Sequence, residues 1–342
     1  MAGYTFFTMN LVQRAVAKGG KLAPLVISKG LTNGTGLMNP SIFIDDVGDI
    51  LVNLRHVNYT LYHSESTQQF PSHWGPLSYL HPEKDMRLVT ENYLMRLDKD
   101  LKVINHTKVE MLNLHQPIWE FVGLEDARLV QWDSDYYLIG VRRDTTTNGQ
   151  GRMEYSKLTI DKENWTARET YRKRIPAPGP NTSYCEKNWY PVVDKPYHFI
   201  KWTAPTELVY SAPDTEGTEQ VFVKDTFPVP NDQRGGSQVI SWGDYYISVG
   251  HEVQLFKNYL QQKDGFYHHR LCVWDKELTL LGISPQKWTF LDARIEFCTG
   301  AAKIENDLLL SFGFQDNAAF VLRVPNAVVE EMIEEALRNE VN

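Results

Sequence analysis

Cysteine is scarce in this chain: Cys185, Cys272 and Cys298 are the three present in 342 residues. The count is odd and no pair stands at Cys-x-x-Cys spacing, which argues against a disulfide framework and a zinc knuckle. Each lies in an apolar or aromatic stretch, so buried thiols are expected. Long apolar runs are also missing, and nothing approaches the roughly 18 residues that span a bilayer. The opening MAGYTFFTMNLVQRAVAKGG has no basic segment leading into an apolar one, unlike a secretory leader. These absences point to a reducing, cytoplasmic setting. Excess positive charge is absent as well. The net charge of −8 disfavours a general nucleic-acid or anionic-membrane binder, although it does not exclude a nucleic acid as an acceptor. Several chemical signatures are missing too. Gly235-Gly236-Ser237 is too short for a phosphate loop and no Lys-Ser/Thr follows it. No GxSxG, HExxH or His-x-His pattern occurs, so neither a metal nor a cofactor is expected.

What the chain does have is a core and a repeat. Hydrophobic residues make up 42% and aromatics 12%, too rich for a disordered chain. One phrase recurs five times: NPSIFIDDVGDILV from Asn39, EDARLVQWDSDYYL from Glu125, KNWYPVVDKPYHFI from Lys187, GSQVISWGDYYISV from Gly236 and TGAAKIENDLLLSF from Thr299. Each copy has a polar or small start, an apolar run, a turn and a second apolar run. The turns hold Asp, Asn and Gly, which tolerate positive φ, and Val, Ile, Tyr and Phe flank them. Further strand-like runs follow each hairpin: Glu91–Leu97, Arg152–Ile160, Glu207–Ser211, His269–Trp274 and Phe320–Val324. The pattern predicts an all-β fold, a five-bladed β-propeller forming one domain over residues 1–342. A β-sandwich or a barrel is the competing architecture. Residues 62–90, rich in His, Ser, Gln and Pro, read as a long insertion loop. Apolar residues at helical spacing after Pro325 predict a C-terminal helix over 326–340 with Asn326 as its N-cap. Tyr4–Met9 is a candidate strand to complete the last blade.

In a propeller the first strand of each blade lines the central channel, so polar phrase starts should converge at one mouth. They are Asn39, Glu125 with Asp126 and Arg128, Glu186 with Lys187, Ser237 with Gln238, and Glu296. Second strands end in Arg55-His56, Arg142-Arg143, Lys201, His251-Glu252 and Asp316. Alternation puts Arg142 and Arg143 on opposite faces, so one of them at most should point inward. Carboxylates, cations and amides from all five copies suit a polar small-molecule site. Each has a plainer reading. Asp126 and Arg128 could form a structural salt bridge, the arginines could be solvated and His251 could be a hydrogen-bonded structural residue. Trp119, Trp189, Tyr190, Trp202 and Trp274 suit either sugar stacking or ordinary core.

The phrase Gly123-Leu124-Glu125-Asp126-Ala127-Arg128 resembles the Glu-Asp-Pro-Arg signature of the β-mannoside phosphorylase family, which includes related hydrolases and β-mannosyltransferases. Asn39-Pro40 and Ser311–Asp316 are similar to phrases in matching places. Glu186–Trp189, Gly235–Gln238, His251–Val253 and Ile295–Cys298 resemble a subgroup of bacterial and viral propellers found beside glycosyltransferases. The resemblance runs in order over residues 37–324. It implies that Asp126 is the catalytic acid/base of an inverting glycosyl transfer from a sugar phosphate or nucleotide sugar to a hydroxyl acceptor. By position, Arg55, Arg143, Lys187 and His251 become candidates to hold phosphate. Asn39, Glu125, Arg128, Gln238, Glu252, Glu296 and Asp316 become candidates to hold substrate. Two departures stand out: Ala127 replaces the usual Pro, and the phosphate-binding set is incomplete. Hydrolysis is the alternative, with Glu252 or Glu296 as base. A non-catalytic glycan-binding propeller is the third reading.

Overall fold

The structure is a computed structural model that describes residues 10–32, 36–61, 68–70, 77–80, 87–179, 182–226, 229 and 233–338. It is all-β and propeller-like, and its helices are short. Among the described residues, strand pairing gives three four-stranded antiparallel sheets, a small three-stranded sheet and one nine-stranded sheet. In the last, two antiparallel four-strand runs are joined through a short parallel pairing of Val109–Glu110 with Ala167–Arg168, and Phe121–Val122 pairs with Leu88–Val89. Five four-strand units can thus be followed along the chain. The first comprises Leu37–Ile44, Ile50–Val57, Leu88–Leu97 and Val103–Glu110. The second comprises Leu124–Trp132, Asp135–Arg142, Arg152–Asp161 and Thr166–Arg174. The third is Tyr190–Pro191, His198–Trp202, Thr206–Tyr210 and Glu219–Lys224. The fourth is Ile240–Trp242, Tyr245–Lys257, Lys263–Trp274 and Leu280–Ile283. The fifth takes Glu296–Ile304, Asp307–Phe314 and Ala318–Val324 from the C-terminal end and Lys21–Pro24 from the other end of the chain.

Each repeated phrase supplies the first hairpin of one unit. Its turn residues behave as their chemistry requires. Asp133, Ser134 and Glu305 adopt positive φ, as do Gly48 and Gly243. Asp45 Oδ1 accepts from the amides of Val47 and Asp49, closing the first turn around its own side chain. Pairing of Lys21–Pro24 with Phe320–Arg323 completes the fifth unit. The segment expected there, Tyr4–Met9, lies outside the described residues. In the predicted insertion, Gln68–Phe70 and Leu77–Leu80 pair as strands; residues 62–67, 71–76 and 81–86 lie outside the described residues.

Apolar side chains of facing units fill the interfaces between them. The helix Asn326–Leu337 turns Val328, Val329, Met332, Ile333 and Ala336 onto the fourth and fifth units, beside Leu11 and Ala15 of the short helix Leu11–Ala17. Pro325 occupies its N-cap position and no side chain caps it; Asn326 is its first residue. The missing Asn326 cap corrects the sequence reading: Asn326 N instead donates to Asp307 Oδ1. Among the described residues, no helix is long and apolar enough to cross a membrane.

The inner strands are tied by one buried side chain. Gln238, fully buried, precedes the first strand of the fourth unit. Its Nε2 donates to Ser41 Oγ (3.0 Å) and the carbonyls of Ile42 (3.0 Å) and Leu129 (2.8 Å). Its Oε1 accepts from Ala301 N at 2.9 Å. One carboxamide thus joins the first, second, fourth and fifth units. Trp132 Nε1 and the amide of Val239 extend the contacts to Val193 and Pro191 of the third. Gln238→Leu keeps the volume but leaves the Ala301 amide and two carbonyls without this partner. Each buried unsatisfied group costs about 1–3 kcal/mol, so urea unfolding should show a loss of about 3 kcal/mol or more.

Candidate active site

The site grows out of irregularities in the inner strands. Met38 pairs with Arg55 and Ser41 with Asn53, so Asn39 and Pro40 face one residue on the neighbouring strand. Glu125 pairs with Val141 and Arg128 with Ile139, so Asp126 and Ala127 bulge opposite Gly140. A third shift lies between Cys298 and Gly300. Bulges re-aim side chains and bend the strand. Asn39 and Asp126 take the left-handed conformation there, with φ of 45° and 50°. Gly140 must lack a side chain, because a Cβ would sit 2.4 Å from the Glu125 carbonyl oxygen.

The bulges open into a cavity of about 220 Å³. It receives Asn39 and Arg55 from the first unit, Glu125, Asp126 and Arg143 from the second, Lys187 and Asn188 ahead of the third, His251 from the fourth and Asp316 from the fifth. Four candidates fall elsewhere. Arg128 is buried and clamps the backbone: Nε donates to the Gly236 carbonyl (2.9 Å) and Nη1 to the Asp126 carbonyl (2.7 Å). It binds no Asp126 carboxylate oxygen in this arrangement. Gln238 is the inter-unit tie. Glu252 accepts from Arg270 Nε. Glu296, fully buried, accepts from the amides of Phe290 (2.5 Å), Leu291 (2.8 Å) and Ala293 (3.0 Å). These four are structural: their polar atoms hold backbone or a neighbouring arginine. Arg142 likewise pairs with Glu154 (2.6 Å) away from the cavity that Arg143 lines.

Asp126 is the best-anchored carboxylate. Its Oδ1 accepts from Arg55 Nη1 and Asn39 Nδ2, each at 2.7 Å. Burial raises its pKa, but the positive charges of Arg55 and Arg128 and both hydrogen bonds outweigh it, and the carboxyl is held below its usual value. Arg55 is fixed in turn by Thr90 Oγ1 (3.0 and 3.2 Å) and Tyr59 OH (3.2 Å), with Glu125 Oε2 at 3.6 Å. Asp316 behaves oppositely. Burial and the neighbouring Asp126 push it up to about 6 against the pull of Arg55 and Lys187. His251 stacks on Tyr267 (5.8 Å) and meets the edge of Phe297 (4.7 Å). Burial and neighbouring His269, Arg234 and Lys187 hold it well below the ordinary value, so it is neutral. It therefore lacks the charge that a cationic phosphate ligand needs.

Residues that the sequence reading did not assign to the site also line the cavity: Tyr59, Phe121, Arg234, Lys263 and Tyr267, the last within the run Tyr267-His268-His269-Arg270, whose role the sequence leaves ambiguous. Lys263 and Tyr267 ride on the long hairpin Tyr245–Lys257/Lys263–Trp274. Burial, then Lys187, Arg234 and Arg143, lower the Lys263 pKa, so four cations share one wall. The Tyr267-His268-His269-Arg270 run was the available signal, but it did not reveal the length of the hairpin. Of the aromatic candidates, Trp189, Tyr190 and Trp274 are core and Trp119 and Trp202 do not line the cavity.

No family model matches the chain, and no curated protein matches its sequence. Solved structures do match it in shape. One is a β-1,2-mannobiose phosphorylase from Listeria innocua, with TM-score 0.54 and 13% identity over 92% of this chain and 96% of that one. A second is a mannose phosphorylase from Leishmania mexicana, with TM-score 0.49 and 11% identity over 92% of each chain. A third comes from a family of mannoside phosphorylases containing glycoside hydrolases that target β-1,2-mannosidic linkages. It has TM-score 0.50 and 10% identity over 86% of this chain and 85% of that one. The structural neighbours are thus β-mannoside phosphorylases and glycoside hydrolases, and the likeness is one of fold.

Removing Arg55 strands a buried carboxylate, a loss of about 3–5 kcal/mol for such a pair. Arg55→Met should lower stability by that order at pH 7 and raise the Asp126 pKa. The folded pKa of Asp126 is depressed, so its contribution is present above the unfolded value of about 4 and fades as pH falls through the folded value. Chemical unfolding from pH 7 down to 3 should show the gap between wild type and Arg55→Met narrowing once pH falls below the raised Asp126 pKa of the variant, and closing further toward the depressed value of the wild type.

Proposed function

We propose that this chain is a carbohydrate-active enzyme that moves a glycosyl group, with inversion, between a phosphate oxygen and a hydroxyl acceptor. One observation carries the reading: a single cavity joins paired carboxylates to a wall of four cations, Arg143, Lys187, Arg234 and Lys263. Like charges brought together around one cavity repel, although Lys187 is exposed and the other three are half-buried, and a bound anion relieves that repulsion. The carboxylates Asp126, Glu125 and Asp316 lie beside it, where a sugar hydroxyl and a transferring proton need acceptors. The donor is a sugar phosphate or a nucleotide sugar. The Listeria innocua protein of similar fold is named for phosphorolysis of a β-1,2-mannoside, which favours a β-mannoside and inorganic phosphate as first substrates to try.

In the inverting displacement the phosphate oxygen is itself the nucleophile, so no second carboxylate is required to activate water. Hydrolysis would require one. Its two candidates, Glu252 and Glu296, are committed to Arg270 and to a loop backbone, which favours phosphate over water as the attacking group. The five units are read as five blades closed radially into one domain over residues 1–342. The three unpaired cysteines support the reducing, cytoplasmic setting.

The test is ligand binding by thermal shift, since a ligand of the folded state raises its apparent stability. Inorganic phosphate and mannose 1-phosphate should each stabilise the wild type, less so as salt rises. Lys263→Ala and Lys187→Ala should each weaken phosphate binding about 10- to 100-fold, the scale of one charged hydrogen bond. Binding unchanged in both variants, or no binding of either anion or of nucleotide sugars, would overturn the reading.

A further inference from the structure

Arg143 reaches the cavity from one residue past the strand Asp135–Arg142 of the second unit. A half-buried arginine with open water nearby samples many rotamers, and holding it in one costs entropy. This side chain is held from several directions. Its guanidinium lies over the rings of Phe121 and Tyr184, 5.5 Å from each centroid, within the range of a cation–π contact. Its Nε donates to the Gly149 carbonyl and its Nη2 to Tyr184 OH, each at 3.0 Å. Tyr184 OH in turn donates to the Asn148 carbonyl at 2.8 Å.

The groups that hold Arg143 are themselves fixed. The turn carrying Asn148 and Gly149 closes through Gln150 N to Thr146 Oγ1 (2.8 Å) and Gly149 N to the Thr146 carbonyl (3.2 Å). Gly149 has a φ of 66°, and a Cβ there would stand 2.2 Å from Trp119 Nε1, so the turn is backed by the indole. Tyr184 rides on a strap, residues 183–187, between the second and third units. Gly151 N donates to the Tyr184 carbonyl and Glu186 N to the Gly151 carbonyl, each at 3.0 Å. Arg152 Nη2 donates to the Ser183 carbonyl at 2.8 Å. Lys187, another cation of the cavity, ends the same strap. One pinned piece of backbone therefore sets both Arg143 and Lys187.

Nε and Nη2 flank one edge of the guanidinium, and each meets a protein oxygen. Nη1 and the second hydrogen of Nη2 flank another edge. Among the described residues, no oxygen accepts from Nη1. Two parallel N–H groups on one edge match two oxygens of a phosphate, a fit that a lysine ammonium cannot give. Arg143 also helps to lower the Lys263 pKa, which puts this edge among the other cations of the wall.

We propose that Tyr184 is a positioning residue for phosphate: it holds Arg143 with one edge engaged by protein and another left open as a two-pronged anion clamp. This rests on the glycosyl-transfer reading above. Tyr184 is outside the cavity lining and 52% exposed. It acts through Arg143 and not by touching phosphate or sugar.

The test measures inorganic phosphate binding by calorimetry in wild type, Tyr184→Phe, Arg143→Lys and the double variant. Tyr184→Phe keeps the ring and removes one oxygen at an exposed position, so the unliganded protein should melt within about 2 °C of wild type. Its phosphate affinity should fall about 3- to 10-fold, the scale of one net hydrogen bond. Arg143→Lys keeps the charge but loses the fork, and should lose about 10- to 100-fold. The double variant should bind no more weakly than Arg143→Lys, because a lysine leaves the Tyr184 hydroxyl no fork to hold. Arginine side-chain NMR supplies a signature without ligand: rotation of the Arg143 Nη2 group should be slowed in wild type and freed in Tyr184→Phe. Additive losses in the double variant, phosphate affinity unchanged in Tyr184→Phe, or a melting point well below the stated range overturns the assignment. Wild type that binds neither phosphate nor mannose 1-phosphate overturns the underlying transfer reading. That failure stays distinguishable, because the NMR signature reads the hold of Tyr184 on Arg143 in the unliganded protein.

Discussion

The carboxamide of Gln238 is the joint on which the architecture turns. Sheets packed only through apolar faces can slide, because hydrophobic contact has no direction. A buried amide does have direction, and its donors and acceptor must all be met or the fold loses several kcal/mol. Gln238 finds its partners on the first, second and fifth units at once. Its reach fixes the distance between inner strands and closes the space between them.

Fixing the inner strands sets the position of their bulges, and the bulges determine which side chains reach the mouth. Arg128 links the two levels. Its guanidinium grips the Gly236 carbonyl of the fourth unit and the Asp126 carbonyl of the second, while its charge helps keep the Asp126 carboxyl ionised. Burial pulls the Arg128 pKa down to about 10, so it remains a cation at neutral pH. One buried cation thus serves backbone register and site electrostatics together. The cavity above is expensive for the fold. It concentrates left-handed residues at Asn39, Asp126 and Asp316 and like charges around Lys263. Strain and repulsion of this kind persist where the surrounding structure over-determines them, and here the tie at Gln238 and the turn at Gln315, whose amide donates to the Ile295 carbonyl, do so.

The hairpins were legible because a repeat imposes the same alternation and turn chemistry five times, and each copy supports the others. Alternation also separated Arg143 from Arg142 correctly. The split between site and scaffold was much less legible. Gln238 and Glu296 stand at phrase starts just as Asn39 and Asp126 do. What distinguishes them is that their partners are main-chain groups from other units, and no local pattern records which carbonyl or amide a buried side chain will meet. Glu252 follows His251 in sequence, yet alternation turns it toward Arg270 on the outer side of the strand pair. Lys263 was unmarked for another reason, and Tyr267 was legible only within the ambiguous run Tyr267-His268-His269-Arg270. They reach the mouth because their hairpin outgrows its unit, and strand length is poorly marked when polar and aromatic residues alternate to the tip. The N-terminal contribution to the fifth unit was expected in kind but not in place. Lys21–Pro24 forms the pairing, and the residues Leu11–Ala17 before it form a helix.

The replacement of proline by alanine in the Glu-Asp-x-Arg phrase bears on how this site is held. A proline ring would fix the chain direction at that point by its own covalent geometry. Here Ala127 is fully buried and its carbonyl accepts from Asn53 Nδ2 at 3.1 Å. Asn53 also donates to Asn92 Oδ1 (2.9 Å), and Asn92 Nδ2 donates to the Leu124 carbonyl (3.1 Å). Two asparagines of the first unit therefore bracket the bulge of the second on both sides of Asp126. Hydrogen bonds between units do the work that a ring would do within the strand. The bulge then inherits its rigidity from the packing of two units, which ties the orientation of the Asp126 carboxylate to the same inter-unit spacing that Gln238 sets.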